Sequence, residues 1–305
     1  MHKPKIIFMG SPACVQPVLA ALHHAFDIIA VYSQPPRPSG RGQKLTDTPI
    51  AAMAKELGLP VFTPERLKGD ALAELQALAP DFICVAAYGL LLPSAVLELA
   101  PCLNIHPSDL PRWRGAAPVH HTILAGDTRT AVCVMAMEKT MDTGAVYARE
   151  YVDVDSNETA QELLNRLFII AAPMLVDVIQ NWPVEPTPQT GESTHATKFG
   201  PEDRPLDWAL PALTLHNKIR AFNPMPGATC THNGETLKVL QSQLTDETTN
   251  APAGTILLAD KTGIEVASGD GRTLRLLKLQ RPNKQAQDVA EFLNGYTIEA
   301  GDTLA

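Results

Sequence analysis

The chain has 305 residues, 45% of them hydrophobic and 19% charged, with a net charge of −8. That length supports one large or two ordinary domains with real cores, and the negative balance excludes a global pull toward polyanions, so a nucleic-acid partner would need a local basic patch. Five cysteines, odd in number and without a C-x-x-C pair, argue against a disulfide framework or a zinc site; reduced, buried thiols in a cytoplasmic protein are expected instead.

The N-terminal MHKPKIIFMGSPAC has the basic, apolar, small order of an export signal. Its apolar run stops after Ile6 to Met9, short of the roughly 7–15 residues such a signal needs. No stretch of about 18 apolar residues follows, so no membrane span is expected.

Residues 5–12 read as a buried strand ending in a glycine loop, residues 15–25 as a helix and 27–34 as a second strand. Helices over 48–58 and 69–79 alternate with strands over 59–63 and 81–89. This order opens a parallel α/β sheet, and near-continuous apolar strands fit a sheet covered on both faces. Residues 131–138 and 145–154 predict two more strands. Thr159 and Glu162 have capping-box spacing ahead of a helix whose apolar face holds Leu163, Leu167, Ile170 and Leu175. The style changes after Asn181. Residues 182–194 hold three prolines and read as a linker. Beyond Asp207, one short helix precedes short alternating segments separated by turns such as Asn233-Gly234, the pattern of a small all-β barrel or sandwich.

Four places offer chemistry. Gly10-Ser11-Pro12 lacks the G-x-G-x-x-G fingerprint, and no acid follows strand two, which argues against a dinucleotide cofactor and leaves the loop as a site for an anionic or polar ligand. Residues 33–44 form an exposed loop with Arg37, Arg41 and Lys44, either a solvated basic loop or an arm that tracks phosphates. Tyr88, Gly89, Leu90, Leu91 and Leu92 fall at the carboxyl end of a parallel strand, where open α/β sheets bind ligands. Asn104 and His106 share one side of a short strand, and Asp142 follows in a glycine loop. Such a trio can polarise a carbonyl and manage protons; a buried histidine satisfied by an aspartate is the equal alternative. The adjacent pairs His23-His24 and His120-His121 diverge on a helix and make poor metal sites, so no metal is expected.

Asn104-Ile105-His106, the run SDLPRWRGAAP (108–118) and Asp142-Thr143-Gly144 together resemble the 10-formyltetrahydrofolate-dependent formyltransferases. The likeness to members acting on methionyl-tRNA covers essentially the whole chain, from the GSP loop through QPPRPSGRGQK to IRAFNPMPGA. Members acting on glycinamide ribonucleotide share the trio but lack the basic loop and the second domain. The resemblance implies a Rossmann-like, mostly parallel sheet over residues 1–188, a linker over 189–206, and an OB-like barrel over 207–305 that binds tRNA. It implies formyl transfer from 10-formyltetrahydrofolate to the α-amino group of methionyl initiator tRNA, with Asn104, His106 and Asp142 catalytic. Tyr88–Leu92, Ser108, Asp109, Leu110, Pro111, Thr143 and Gly144 would line the folate site. Arg37, Arg41 and Lys44 would meet the tRNA, joined by Arg272, Arg275, Lys278 and Arg281 from a basic run without acids. A protonated His106, held cationic by Asp142, would help stabilise the oxyanion. The expected enzyme is cytoplasmic and monomeric. Three positions depart from the family pattern: Asp109 replaces a leucine, Ala13-Cys14 replaces an acidic-Phe pair, and Met225 replaces a tryptophan. The rivals are a formyltransferase for an amino-sugar nucleotide or other small amine, and a non-catalytic RNA-binding protein.

Overall fold

The computed structural model describes residues 3–39 and 43–305. In chain order the first strands and helices are β1 (Lys5–Gly10), α1 (Gln16–Ala25), β2 (Asp27–Tyr32), β3 (Arg37–Ser39), β4 (Lys44–Thr46), α2 (Pro49–Glu56), β5 (Val61–Phe62), α3 (Asp70–Ala77), β6 (Phe82–Ala86) and α4 (Ser94–Leu97). There follow β7 (Cys102–His106), β8 (Arg114–Gly115), α5 (Pro118–Leu124), β9 (Arg129–Ala136), β10 (Val146–Asp153) and α6 (Ala160–Gln180). The remainder is β11 (His195–Ala196), α7 (Ala212–Ala221), β12 (Ala228–His232), β13 (Glu235–Thr248), β14 (Ile256–Asp260), β15 (Gly263–Ala267), β16 (Arg272–Gln280), β17 (Ala286–Asp288) and α8 (Val289–Phe292).

Two compact units emerge: one comprises residues 1–115, 130–152 and 164–195, the other 116–129, 153–163 and 196–305. The second unit therefore takes in two earlier segments, where a single run after residue 207 was expected.

The first unit is built on a seven-stranded sheet ordered β10-β9-β7-β6-β1-β2-β5. β1 runs parallel to β2 and β6, and β6 parallel to β7, whereas β9 is antiparallel to β7. Ile6 to Met9 are fully buried, because helices cover both faces of such a strand. Strand order reverses beside β1, so the carboxyl ends of β1 and β6 open a crevice, the place where α/β sheets take ligands. The capping box before α6 forms as expected: Thr159 N–H donates to Glu162 Oε2 at 2.9 Å and Glu162 N–H to Thr159 Oγ1 at 3.3 Å.

The stretch expected as a linker is fastened to the first unit. Thr187 exchanges both backbone hydrogen bonds with Val146 at 2.8 Å, and Trp182 packs edge-on against Phe82. Apolar content is low there because the stretch pairs through its backbone and polar side chains.

The second unit holds the antiparallel sheet β12-β13-β16-β15-β14, with β17 also paired to β16. α7 packs on β13 and β16 and alongside α5. All five cysteines are free and buried. No helix among the described residues is long and apolar enough to cross a membrane.

Candidate active site at the end of strand seven

β7 pairs Asn104 with Val85 on one side and with Met135 on the other, and His106 with Cys133. The two-residue period aims Asn104 and His106 to the same face. Asn104 is half-buried, and its amide is unengaged by other described residues. His106 is only 4% exposed. Its Nε2 lies 3.0 Å from the Trp113 carbonyl. A carbonyl only accepts, so Nε2 carries the proton, and the neutral ring keeps a lone pair on Nδ1. That Nδ1 faces Asp142 Oδ2 at 3.7 Å.

Burial pushes the His106 pKa below the ordinary histidine value, and the opposing pull of Asp142 and the Trp113 carbonyl does not overcome it. Burial thus works against the imidazolium expected from the sequence, since desolvation penalises a cation in this pocket more than one carboxylate at 3.7 Å favours it.

Asp142 adopts φ +55°, a left-handed conformation uncommon outside glycine. Its Oδ2 accepts the Gly115 N–H at 2.8 Å. Its own carbonyl and that of Gly144 accept from Gln189 Nε2 at 2.9 and 2.8 Å. Gly144 is required by space, because a Cβ there would lie 2.0 Å from the Ala136 carbonyl oxygen. Thr143 Oγ1 donates to Glu138 and to the Thr140 carbonyl within the same loop.

The loop after His106 differs from expectation in how its side chains are engaged. Ser108 is fully buried and donates to the Arg112 carbonyl at 2.7 Å. Leu110 is fully buried in a cluster with Cys133, Met135 and Val146. Asp109 turns to Arg149 Nη1 at 2.8 Å, while Arg149 Nη2 donates to the Leu110 carbonyl at 2.7 Å. The side chains of Ser108 and Leu110 therefore face protein, whereas Asp109 is partly exposed and Pro111 is half-buried. The Asp109–Arg149 pair borders a separate cavity of about 450 Å³, also lined by Arg112, Tyr147, Thr187 and Glu192.

The chain leaves β6 through Ala87 at φ +47° and Gly89 at φ +89°. Tyr88 is buried and its carbonyl accepts from Ser11 Oγ and Gln34 Nε2, both at 3.2 Å. Leu92 is buried, Leu90 is half-buried and Leu91 is 75% exposed.

The basic residues fall into two groups. Arg37 and Lys44 lie on an exposed hairpin in which β3 and β4 pair Arg37 with Thr46 and Ser39 with Lys44; Arg41 lies outside the described residues. Arg272, Arg275 and Lys278 lie on β16, where a three-residue spacing sends successive cations to alternate faces, and Arg281 follows the strand. Three of them are also paired: Arg275 with Glu265, Lys278 with Asp288 at 3.3 Å and Arg281 with Glu235 at 2.9 Å. Arg272 is exposed. The acids that pair with these three come from neighbouring strands and were invisible in the local sequence.

Sequence reasoning placed Ser11, Gln34 and Trp113 in candidate loops without assigning them these bonds, and it missed the parts played by Gly115 and Gln189. Most act through backbone groups or lone amides, which carry no motif; only the polar Ser11 after β1 offered a signal. Among the described residues no group of three or more His, Cys, Asp or Glu could hold a metal ion.

Residues 4–179 match the Formyl transferase family and residues 198–297 the Formyl transferase, C-terminal domain family. The chain is 44% identical to a methionyl-tRNA formyltransferase from Ruegeria pomeroyi, over 98% of this chain and all of that one. Among solved structures, it resembles an N-formyltransferase from Helicobacter canadensis in complex with folinic acid and dTDP-3-aminofucose (TM-score 0.68, 18% identity, covering 90% of this chain and 99% of that one). It also resembles a variant of HypX from Aquifex aeolicus (TM-score 0.65, 18% identity) over 97% of this chain, which spans about half the length of HypX, 49%. Those structures share the fold. The full-length likeness and the two matched domains identify the chain as a member of the methionyl-tRNA formyltransferase family.

Proposed function

We propose that this enzyme transfers the formyl group of 10-formyltetrahydrofolate to the α-amino group of methionyl initiator tRNA, yielding N-formylmethionyl-tRNA for translation initiation. The observation that carries the substrate is the 44% identity, end to end, with a relative bearing that name. The chemistry rests on Asn104, His106 and Asp142 meeting at the end of β7.

The amine must lose a proton to attack the formyl carbon. His106 is neutral, anchored through Nε2, and offers Nδ1 as the acceptor. The imidazolium that forms lies beside the Asp142 carboxylate at 3.7 Å, so the charge that burial disfavours at rest is balanced when it appears. Negative charge develops on the formyl oxygen, and the Asn104 amide is the free donor on the same face of β7. When the tetrahedral adduct collapses, His106 returns a proton to the departing folate nitrogen, and the second amine proton leaves to solvent. Backbone edges of Tyr88–Leu92 and of the Asp142–Gly144 loop bind the flat folate ring. The exposed β3–β4 hairpin, with Arg37 and Lys44, meets the acceptor end of the tRNA.

The test offers formyl-labelled 10-formyltetrahydrofolate with methionyl initiator tRNA, uncharged tRNA, glycinamide ribonucleotide and an amino-sugar nucleotide in parallel. Label in the methionyl fraction alone supports the reading. Label solely in a small amine overturns the acceptor, and no label in any fraction overturns the activity.

A further inference from the structure

Gln189 belongs to the stretch expected as a linker, yet its carboxamide is saturated. Nε2 donates to the Asp142 carbonyl at 2.9 Å and to the Gly144 carbonyl at 2.8 Å. Oε1 accepts from Arg114 Nε at 3.0 Å and Arg114 Nη2 at 2.7 Å. The orientation is unambiguous, because carbonyls only accept and a guanidinium only donates. Of the natural side chains near this size, glutamate keeps the acceptors and loses both donors, and leucine keeps the shape and loses all four bonds.

These four bonds join the two segments that hold Asp142. Arg114 immediately precedes Gly115, whose N–H donates to Asp142 Oδ2 at 2.8 Å. Gln189 thus fixes the Asp142 backbone from its carbonyl side and, through Arg114, steadies the segment that fixes its carboxylate. Asp142 keeps φ +55° without being a glycine, a conformation that persists only where its surroundings over-determine it.

We infer that Gln189 is a positioning residue for the reaction, holding the Asp142 carboxylate at its station beside His106. This rests on the catalytic role proposed for Asp142. The donors matter more than the acceptors, since they alone reach the Asp142 loop.

The experiment compares Gln189→Glu, Gln189→Leu, Asp142→Asn and the double variant Gln189→Glu/Asp142→Asn, with methionyl-tRNA and 10-formyltetrahydrofolate as substrates. Gln189→Glu is expected to lower kcat on the order of 10–100-fold, the scale on which a small misplacement of a catalytic group costs rate. KM for the tRNA stays within about twofold, because uniform binding is untouched. The acid limb of kcat moves to lower pH, since His106 loses its neighbouring carboxylate. In the Asp142→Asn background the same substitution adds little further loss, as expected of two residues acting as one unit. Near-native kcat in Gln189→Glu overturns the inference, as does a loss fully additive with Asp142→Asn and matched by a fall in melting temperature. Near-native kcat in Asp142→Asn overturns the proposed role of Asp142 instead, so the two failures are distinct.

Discussion

His106 Nδ1 and Asp142 Oδ2 stand 3.7 Å apart, close enough for charge to matter and too far for a hydrogen bond. The carboxylate is meanwhile bound to the Gly115 amide at 2.8 Å. On the proposed mechanism, the pair is therefore set for the moment when His106 becomes charged rather than for the resting state.

The first consequence is a pH profile. Burial holds the His106 pKa below the ordinary histidine value, so the neutral base is the resting form at neutral pH. Turnover should be flat across neutrality and decline on the acid side, with a midpoint below about 6.5. Asp142→Asn should lower kcat and move that midpoint lower still. Steady-state kcat against pH checks both; a midpoint above the ordinary histidine value would contradict the neutral imidazole.

Asn104→Ala removes a donor from the face where, on the proposed mechanism, the formyl oxygen develops charge. A kcat loss of about 10²–10³-fold is expected, as for other single oxyanion donors, with an unchanged melting temperature. Single-turnover rates with preformed methionyl-tRNA measure it directly.

Gly144→Ala is a steric test of the same loop. The added Cβ would meet the Ala136 carbonyl at 2.0 Å, and backbone cannot yield as a side-chain tip does. Destabilisation of roughly 1–3 kcal/mol is expected from such overpacking, together with lost turnover as the Asp142 loop shifts. Calorimetry and kcat on the same sample test the two together.

Asp109→Leu introduces the leucine that the sequence resemblance implies there and removes an ion pair whose carboxylate is 37% exposed. Such a pair contributes at most about 1 kcal/mol, so the melting temperature should barely move. Arg149→Ala should cost more, because it also strips the bond to the Leu110 carbonyl. Equal losses in denaturant titrations of the two variants would show that this second bond adds nothing.

His216 predicts how stability follows pH. It is 3% exposed, bonded through Nδ1 to Ser242 at 2.9 Å and through Nε2 to the Ser156 carbonyl at 3.0 Å. Burial lowers its pKa, opposed by the Ser156 carbonyl and aided by Arg220. A lowered folded-state pKa means the unfolded chain takes up the proton first. Stability is thus complete above about pH 6.5 and falls as the pH drops below it. Melting temperatures of wild type and His216→Gln across this range should converge toward acid; parallel curves would exclude the histidine as a cause.

The alternation of apolar runs and glycine turns made the sheet of the first unit legible, and β7 falls at Cys102–His106 as the CLNIH pattern predicts. The shared face of Asn104 and His106 followed from that period alone. What remained hidden was mostly backbone chemistry. The Trp113 carbonyl that fixes the His106 tautomer and the Gly115 amide on Asp142 belong to groups every residue carries. Three prolines and few apolar residues made residues 182–194 look free, because pairing through Thr187 and Gln189 leaves no hydrophobic signature. The partners of the basic run from Arg272 to Arg281 were hidden for a related reason: Glu235, Glu265 and Asp288, which pair with three of its cations, are distant in sequence and adjacent only across strands.

The five buried cysteines have a practical consequence. Desolvation raises the thiol pKa to about 11 at Cys14 and to about 12 at Cys102 and Cys230, and also upward at Cys84 and Cys133. Thiolates, the species that react with maleimides, are therefore scarce at every native position. Leu45, 71% exposed on the β3–β4 hairpin, can be replaced by cysteine and labelled selectively without first stripping the others from the core. The enzyme thus comes with a quiet background for fluorescence, in which a single dye on the hairpin tests whether tRNA meets it, as proposed above.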